Sequence, residues 1–136
     1  MRKLEKYFNG ISNITAIIGG AIVYLLGGWD TLIIVLVTLM CMDYITGVLK
    51  SLYNKKLSSN VGRKGIIKKV TTLVIVSVAV MCEKVGIPAM REITIMFFTA
   101  NEGLSILENA SEMGLPMPER LKSALIQVRE PKKEVT

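Results

Sequence analysis

The sequence predicts an all-α integral membrane protein, a single domain over residues 1–136 with four transmembrane helices, or with three and a fourth, amphipathic one. Three observations predict it. Two apolar runs of 19 residues stand in succession: Ile11 to Trp29 holds no charged residue, and Thr31 to Leu49 holds only Asp43. Each is close to the roughly 20 residues that carry a helix across bilayer hydrocarbon. Two further apolar runs follow, Val70 to Cys82 and Ile93 to Leu107. Finally, the charge is local. Residues 50–69 hold seven Lys/Arg and no acid, against a net charge of +6 for a chain that is 51% hydrophobic, so the remainder has ten basic and eleven acidic residues.

The first helix is expected at 11–29. Its start, MRKLEKYF, is basic, but no small-x-small cleavage pattern follows, so the segment is read as retained. Ser12, Ala16 and Gly20 recur every four residues, and small residues so spaced let helices approach closely in lipid, either within the chain or between copies. Gly27 to Asp30 forms a short turn with Trp29 suited to the membrane interface, so helices one and two are expected to form a tight hairpin.

The second helix, 31–50, aligns Met40, Asp43, Thr46, Gly47 and Lys50 in one stripe. The connector after it contains LSSN and GRKG, and a third helix, 66–83, is expected to begin near Arg63 to Ile67. Its valines and isoleucines would favour a strand in water, but a lone strand cannot satisfy its backbone in lipid. Lys50, Lys55, Lys56, Arg63, Lys64, Lys68 and Lys69 are assigned to orientation and lipid headgroups; an excess of basic residues marks the cytoplasmic side, which places the N-terminus and the loop 50–69 inside.

The fourth helix is expected at 93–113. Its apolar part, Ile93 to Leu107, reaches only about 22 Å, and Asn101, Glu102 and Ser105 share a polar face with Glu108, Asn109 and Glu112. Whether it crosses decides the side of the C-terminus. Gly114 closes it, Leu115-Pro116-Met117-Pro118 interrupts the chain, and a short cytoplasmic helix 119–128 and a polar tail 129–136 complete it.

The residue inventory excludes most chemistry. The chain has no histidine, which removes Ser-His and Cys-His nucleophile pairs and the commonest zinc ligand. Cys41 and Cys82 lie in apolar runs as small hydrophobes, not as a disulfide. The phosphate-loop spacing is absent, and the basic connector lacks interleaved aromatics for stacking bases. No catalytic residue, cofactor, metal or nucleic-acid partner is expected, and the chain is read as no enzyme. Asp43 is the exception that asks for a reason, since an ionised carboxylate at a helix centre costs about 3 kcal/mol on insertion scales. It has either a partner within the chain, such as Lys69, or a place at a helix interface or watery lumen of an assembly, together with Gly47, Thr46, Asn101, Glu102 and Ser105.

DYITGVLKSLYNKKLSSNVGRKGIIKKV and, further on, NEGLSILENASEMGLPMPERLK resemble the phage-lysis and toxin-secretion holins of Gram-positive bacteria and their phages. The resemblance spans about Thr31 to Lys122 and rests on Asp43 with Gly47, Ser58-Ser59 with Gly62 and Gly65, Glu102 with Ser105, and Gly114-Leu115-Pro116. It implies a homo-oligomer in the bacterial cytoplasmic membrane that opens lesions at a critical density, with an endolysin or a toxin as released cargo. After Met1 the next methionine is Met40, so an inhibitory second-start form is not expected and any antiholin would be a separate protein. The competing readings are a small four-helix ion-coupled transporter and an antiholin of the same fold.

Overall fold

A computed structural model describes residues 1–130; of the expected polar tail, residues 131–136 lie outside this range. Five helices follow in order: α1 (Arg2–Leu25), α2 (Thr31–Tyr53), α3 (Ser59–Lys84), α4 (Met90–Glu112) and α5 (Glu119–Arg129). The described residues contain no strand. Three helices, α1, α2 and α3, are long and apolar enough to cross a membrane, and the chain is an all-α membrane protein.

Helix boundaries depart from expectation where capping was misjudged. α1 begins at Arg2, because MRKLEKYF continues the helix, and ends at Leu25, where Gly27 (φ +76°) and Gly28 (φ +113°) enter a backbone region that side chains with a Cβ rarely adopt. The Gly28 amide donates back to the Val23 carbonyl at 2.9 Å, which closes the last turn. Asp30 caps α2 by accepting from the Ile33 amide at 3.1 Å. Ser58 does the same for α3, accepting from the Val61 amide at 3.4 Å, so α3 starts seven residues before the expected 66. The expected basic loop 50–69 therefore shrinks to a turn of residues 54–58. Arg63, Lys64, Lys68 and Lys69 are on α3, and Lys50 is on α2.

α2, α3 and α4 form the bundle. Arg91 pairs with Asp30 at one end and Lys50 with Glu112 at the other, so α2 and α4 run parallel with α3 antiparallel to both. The core is Leu26, Ile33, Leu36, Met40, Val76 and Ile95. At 23 residues α4 is about 34 Å long, longer than the apolar count suggested, and it runs the full length of α2. α5 folds back onto α4, with Leu125 against Gly103 so closely that a Cβ there would lie 3.0 Å from a Leu125 methyl.

The expected hairpin of α1 and α2 does not form. α1 has no buried residue and packs along none of the other helices; only its end is held, by the buried Leu26 and by Lys84, whose Nζ lies 3.7 Å from the Tyr24 ring centre. A turn as short as 26–30 permits a hairpin but does not oblige one. Cys41, expected inside, is exposed on the outer face of the bundle, and Cys82 is half-buried; both are free thiols.

Candidate functional site

Two charged clusters lie in the bundle, one at its middle and one at the end from which α1 departs. At the middle, the stripe predicted on α2 faces α4 and α3. Lys69, one turn before the centre of α3, donates from Nζ to Asp43 Oδ2 at 2.7 Å and to Glu102 Oε2 at 2.6 Å. All three side chains are mostly buried, Lys69 17% exposed, Asp43 18% and Glu102 13%. Of the two roles expected of Lys69, headgroup anchor and partner of Asp43, it takes the second, as the internal counter-ion of two carboxylates from two other helices. A long aliphatic stem lets its charge reach the bundle interior.

Asn109, on the same face of α4 as Glu102 two turns on, is 6% exposed. Its Nδ2 donates to Asp43 Oδ1 at 3.2 Å and to Thr46 Oγ1 at 3.1 Å, while Thr46 donates to the Asp43 carbonyl at 3.0 Å. Gly47 sits opposite Asn109: a Cβ there would lie 3.8 Å from Nδ2. Thus Asp43, Thr46, Gly47 and Glu102 are brought together around Lys69 and Asn109. Ser105 lines the adjoining cavity of about 370 Å³, which also borders Tyr44, Lys64 and Lys68. Asn101 is half-buried and makes no side-chain hydrogen bond among the described residues. Two carboxylates share one ammonium in the cluster. In a low-dielectric bundle such a set is stable only while each charge keeps its partner.

At the end from which α1 departs, Arg91, 5% exposed, ties the start of α4 to the turn 26–30. Its Nε donates to the Leu26 carbonyl at 2.7 Å, one Nη to Asp30 Oδ2 at 2.7 Å and the other to the Gly28 carbonyl at 3.4 Å. Its own amide donates to Glu83 Oε1 at 3.0 Å. The guanidinium hydrogen-bonded to Asp30, aided by the Ile33 amide, holds that carboxyl below the usual carboxylate range. Neither Arg91 nor Asn109 is marked by sequence reasoning as a site. Arg91 reads as a loop-flanking charge, and its partner lies 61 residues away. Asn109 shared the polar face of Glu102, and that register was the available signal.

The remaining candidates do not join either cluster. Ser12, Ala16 and Gly20 are exposed, and a Cβ on Gly20 would meet nothing within 4 Å. Lys55, Lys56, Arg63, Lys64 and Lys68 are exposed near the connector end, and Lys50 reaches Glu112 at 3.4 Å. No group of His, Cys, Asp or Glu among the described residues has the arrangement to hold a metal.

A sequence model of the bacteriophage holin family matches residues 20–130. An uncharacterized 14.9 kDa protein from the nagH 3′ region of Clostridium perfringens is 39% identical over 132 residues, 95% of this chain and all of that protein. An uncharacterized protein of Listeria monocytogenes is 41% identical over 119 residues, 86% of this chain and 82% of its own length. One of Clostridium acetobutylicum is 39% identical over 105 residues, 75% of this chain and 84% of its own. No solved structure matches the chain significantly.

Proposed function

The chain belongs to the bacteriophage holin family, and from that premise we propose that it collects in the bacterial cytoplasmic membrane, self-associates and opens lesions through which an endolysin or a toxin leaves the cell. The observation that carries this reading is α1. It is a 24-residue apolar helix, none of it buried, with Ser12, Ala16 and Gly20 on its surface. Helix association in lipid draws on close packing of such small-residue faces, and a helix with no partner in its own chain is free to take one in a neighbour. The basic end of the bundle, with Lys55, Lys56, Arg63 and Lys64, faces the cytoplasm on this reading. α4, sheltered by α2 and α3, crosses with them and ends on the connector side, from which α5 folds back along it.

The cluster of Asp43, Lys69 and Glu102 fits a protein that changes assembly. Masked within one bundle it is tolerated in lipid, and hydrated at a lesion wall it is stable again, because each ion then has water.

Inducible expression in a bacterium carrying a cytoplasmic endolysin tests this, with membrane potential and endolysin release followed together. Abrupt loss of potential and release after a period of accumulation is the expected outcome. Continued growth with intact potential at high membrane levels would sink the lytic reading. Asp43→Asn is expected to shift the time of lysis without preventing insertion; unchanged timing at equal protein levels would leave Asp43 a folding role only.

A further inference from the structure

α2 and α3 pack chiefly on α4 and meet each other little, which leaves an apolar crevice of about 350 Å³ between them. Val37, Cys41 and Ile45 line it from α2, and Ile66, Val70 and Leu73 from α3. Toward the connector the Tyr44 ring lies over Gly65 and Gly62, where an added Cβ would stand 3.4 and 3.1 Å from it, and its hydroxyl has no hydrogen-bond partner among the described residues. Past Tyr44 and Ile66 the crevice continues to Arg63, which is exposed and forms no ion pair among those residues. α1 has two faces, both exposed. Ile11, Ile14, Ile18 and Ile22 make one, and Glu5, Asn9, Ser12, Ala16 and Gly20 make the other. Lipid suits the isoleucines but cannot satisfy the Asn9 amide. Arg91 fixes the turn from which α1 leaves, and α1 lies along no helix of its own chain.

We propose that α1 of one copy seats in the α2–α3 crevice of another, with its Glu5, Asn9 and Ala16 face inward. The depths agree. Counted along each helix from the end at which α1 departs, Ala16 and Cys41 lie at about 14 and 15 Å, and Glu5 and Arg63 at about 30 and 32 Å. Asn9, at about 24 Å, reaches the hydroxyl of Tyr44, which starts from about 20 Å on α2 and leans toward the connector over Gly62. Glu5 then meets Arg63 in the headgroup layer, opposite charges that have no partner within one chain. Two α1 helices face to face would instead set Glu5 against Glu5 and leave Arg63 unpaired. A lipid chain would fill the crevice and serve neither polar group. This seat rests on the reading of α1 as the association helix and names what receives it; it does not depend on lesion formation.

Two differently tagged forms of the full chain, both with Cys82→Ser, are expressed together in a bacterial membrane and oxidised with copper phenanthroline. One carries Ala16→Cys with Cys41→Ser, and the other keeps Cys41. The mixed disulfide dimer is expected about tenfold above the dimers of either form alone, a difference of ~1.4 kcal/mol. Glu5→Lys in the first form should lower it about threefold, the scale of an exposed ion pair, and Arg63→Glu in the second form should bring it back. Glu5 and Arg63 are both exposed, so the exchange leaves each fold intact. Asn9→Leu should lower the yield by a similar factor, the scale of one interhelical hydrogen bond in lipid, and Ile14→Val on the opposite face should not. Dimers of the first form alone in place of mixed ones, no mixed dimer at all, or a Glu5→Lys loss that Arg63→Glu does not reverse would each overturn the proposal. Loss of membrane potential without the mixed dimer would overturn this seat and leave the lytic reading standing; the mixed dimer with potential intact at every level would do the reverse.

Discussion

Arg91 and Lys69 are both cations inside the bundle, yet they are held in different ways. Arg91 donates to two main-chain carbonyls and one carboxylate. The carbonyls belong to the turn 26–30 and cannot change charge, and Asp30 balances the guanidinium one to one. Lys69 donates to two carboxylates on two different helices, beside a cavity. The first arrangement fixes a geometry: it pins the start of α2 to the start of α4. The second is a balance that any added proton, lipid or neighbouring helix would change. The end from which α1 departs is therefore rigid, and the middle of the bundle is the responsive part.

Removing Arg91 should have the largest effect. Arg91→Met leaves the Leu26 and Gly28 carbonyls without their donor, at about 1–3 kcal/mol for each buried acceptor, while the carboxylate of Asp30, 48% exposed, turns to water; denaturant unfolding in nanodiscs measures it, and new proteolysis near Gly27 should accompany it. Lys69→Met should cost somewhat less, about 3 kcal/mol, because the cavity admits water to the two orphaned carboxylates. Adding Asp43→Asn and Glu102→Gln to it should restore most of the loss. A triple variant no more stable than Lys69→Met would end the idea that the mid-bundle cluster is held by charge balance. If Lys69→Met proves costlier than Arg91→Met, the contrast between the two clusters is inverted.

Smaller substitutions sharpen the same contrast. Gly27→Ala meets both a positive φ and an Arg91 Nε that would lie 2.7 Å from the new Cβ, while Gly28→Ala meets only the backbone strain, with open space around it. The first should cost about 2 kcal/mol or more and the second about 1 kcal/mol. Asn109→Ala, which removes a donor to Asp43 and Thr46, should cost about 1 kcal/mol. The least effect is that of pH at the rigid end. The carboxyl of Asp30 is held below its usual range in the folded state, so its stabilisation is complete above about pH 4. It is lost as pH falls through the lowered folded value. Unfolding midpoints should be flat near neutral pH and fall in acid, and Asp30→Asn should flatten that fall.

Local patterns were legible in the sequence to the extent that neighbours in the chain cause them. The apolar lengths gave the helices, Gly27 with Gly28 the end of α1, and the stripe through Asp43, Thr46 and Gly47 the face of α2 that meets α4. Where a cap decided the boundary, reading by apolarity erred. Ser58 starts α3 well before its hydrophobic part and carries Arg63 and Lys64 from the expected connector into a helix. Lys69, inside the expected helix and named there as a partner for Asp43, meets Asp43 and Glu102 through packing and not through the cap.

The sequence by itself determined that this is a helical membrane protein with its positive charge concentrated at one connector, because chain length in apolar residues and the energy of charge in lipid act residue by residue. Only the tertiary structure decided which charges meet. Asp43 with Lys69 and Glu102, and Asp30 with Arg91, are separated by 26 to 61 residues, and no local preference records which helix faces which. It also decided that α1 stands unpacked beside a turn short enough for a hairpin. Packing compares all faces at once, and α4, with its charges and its length, is the better partner for α2.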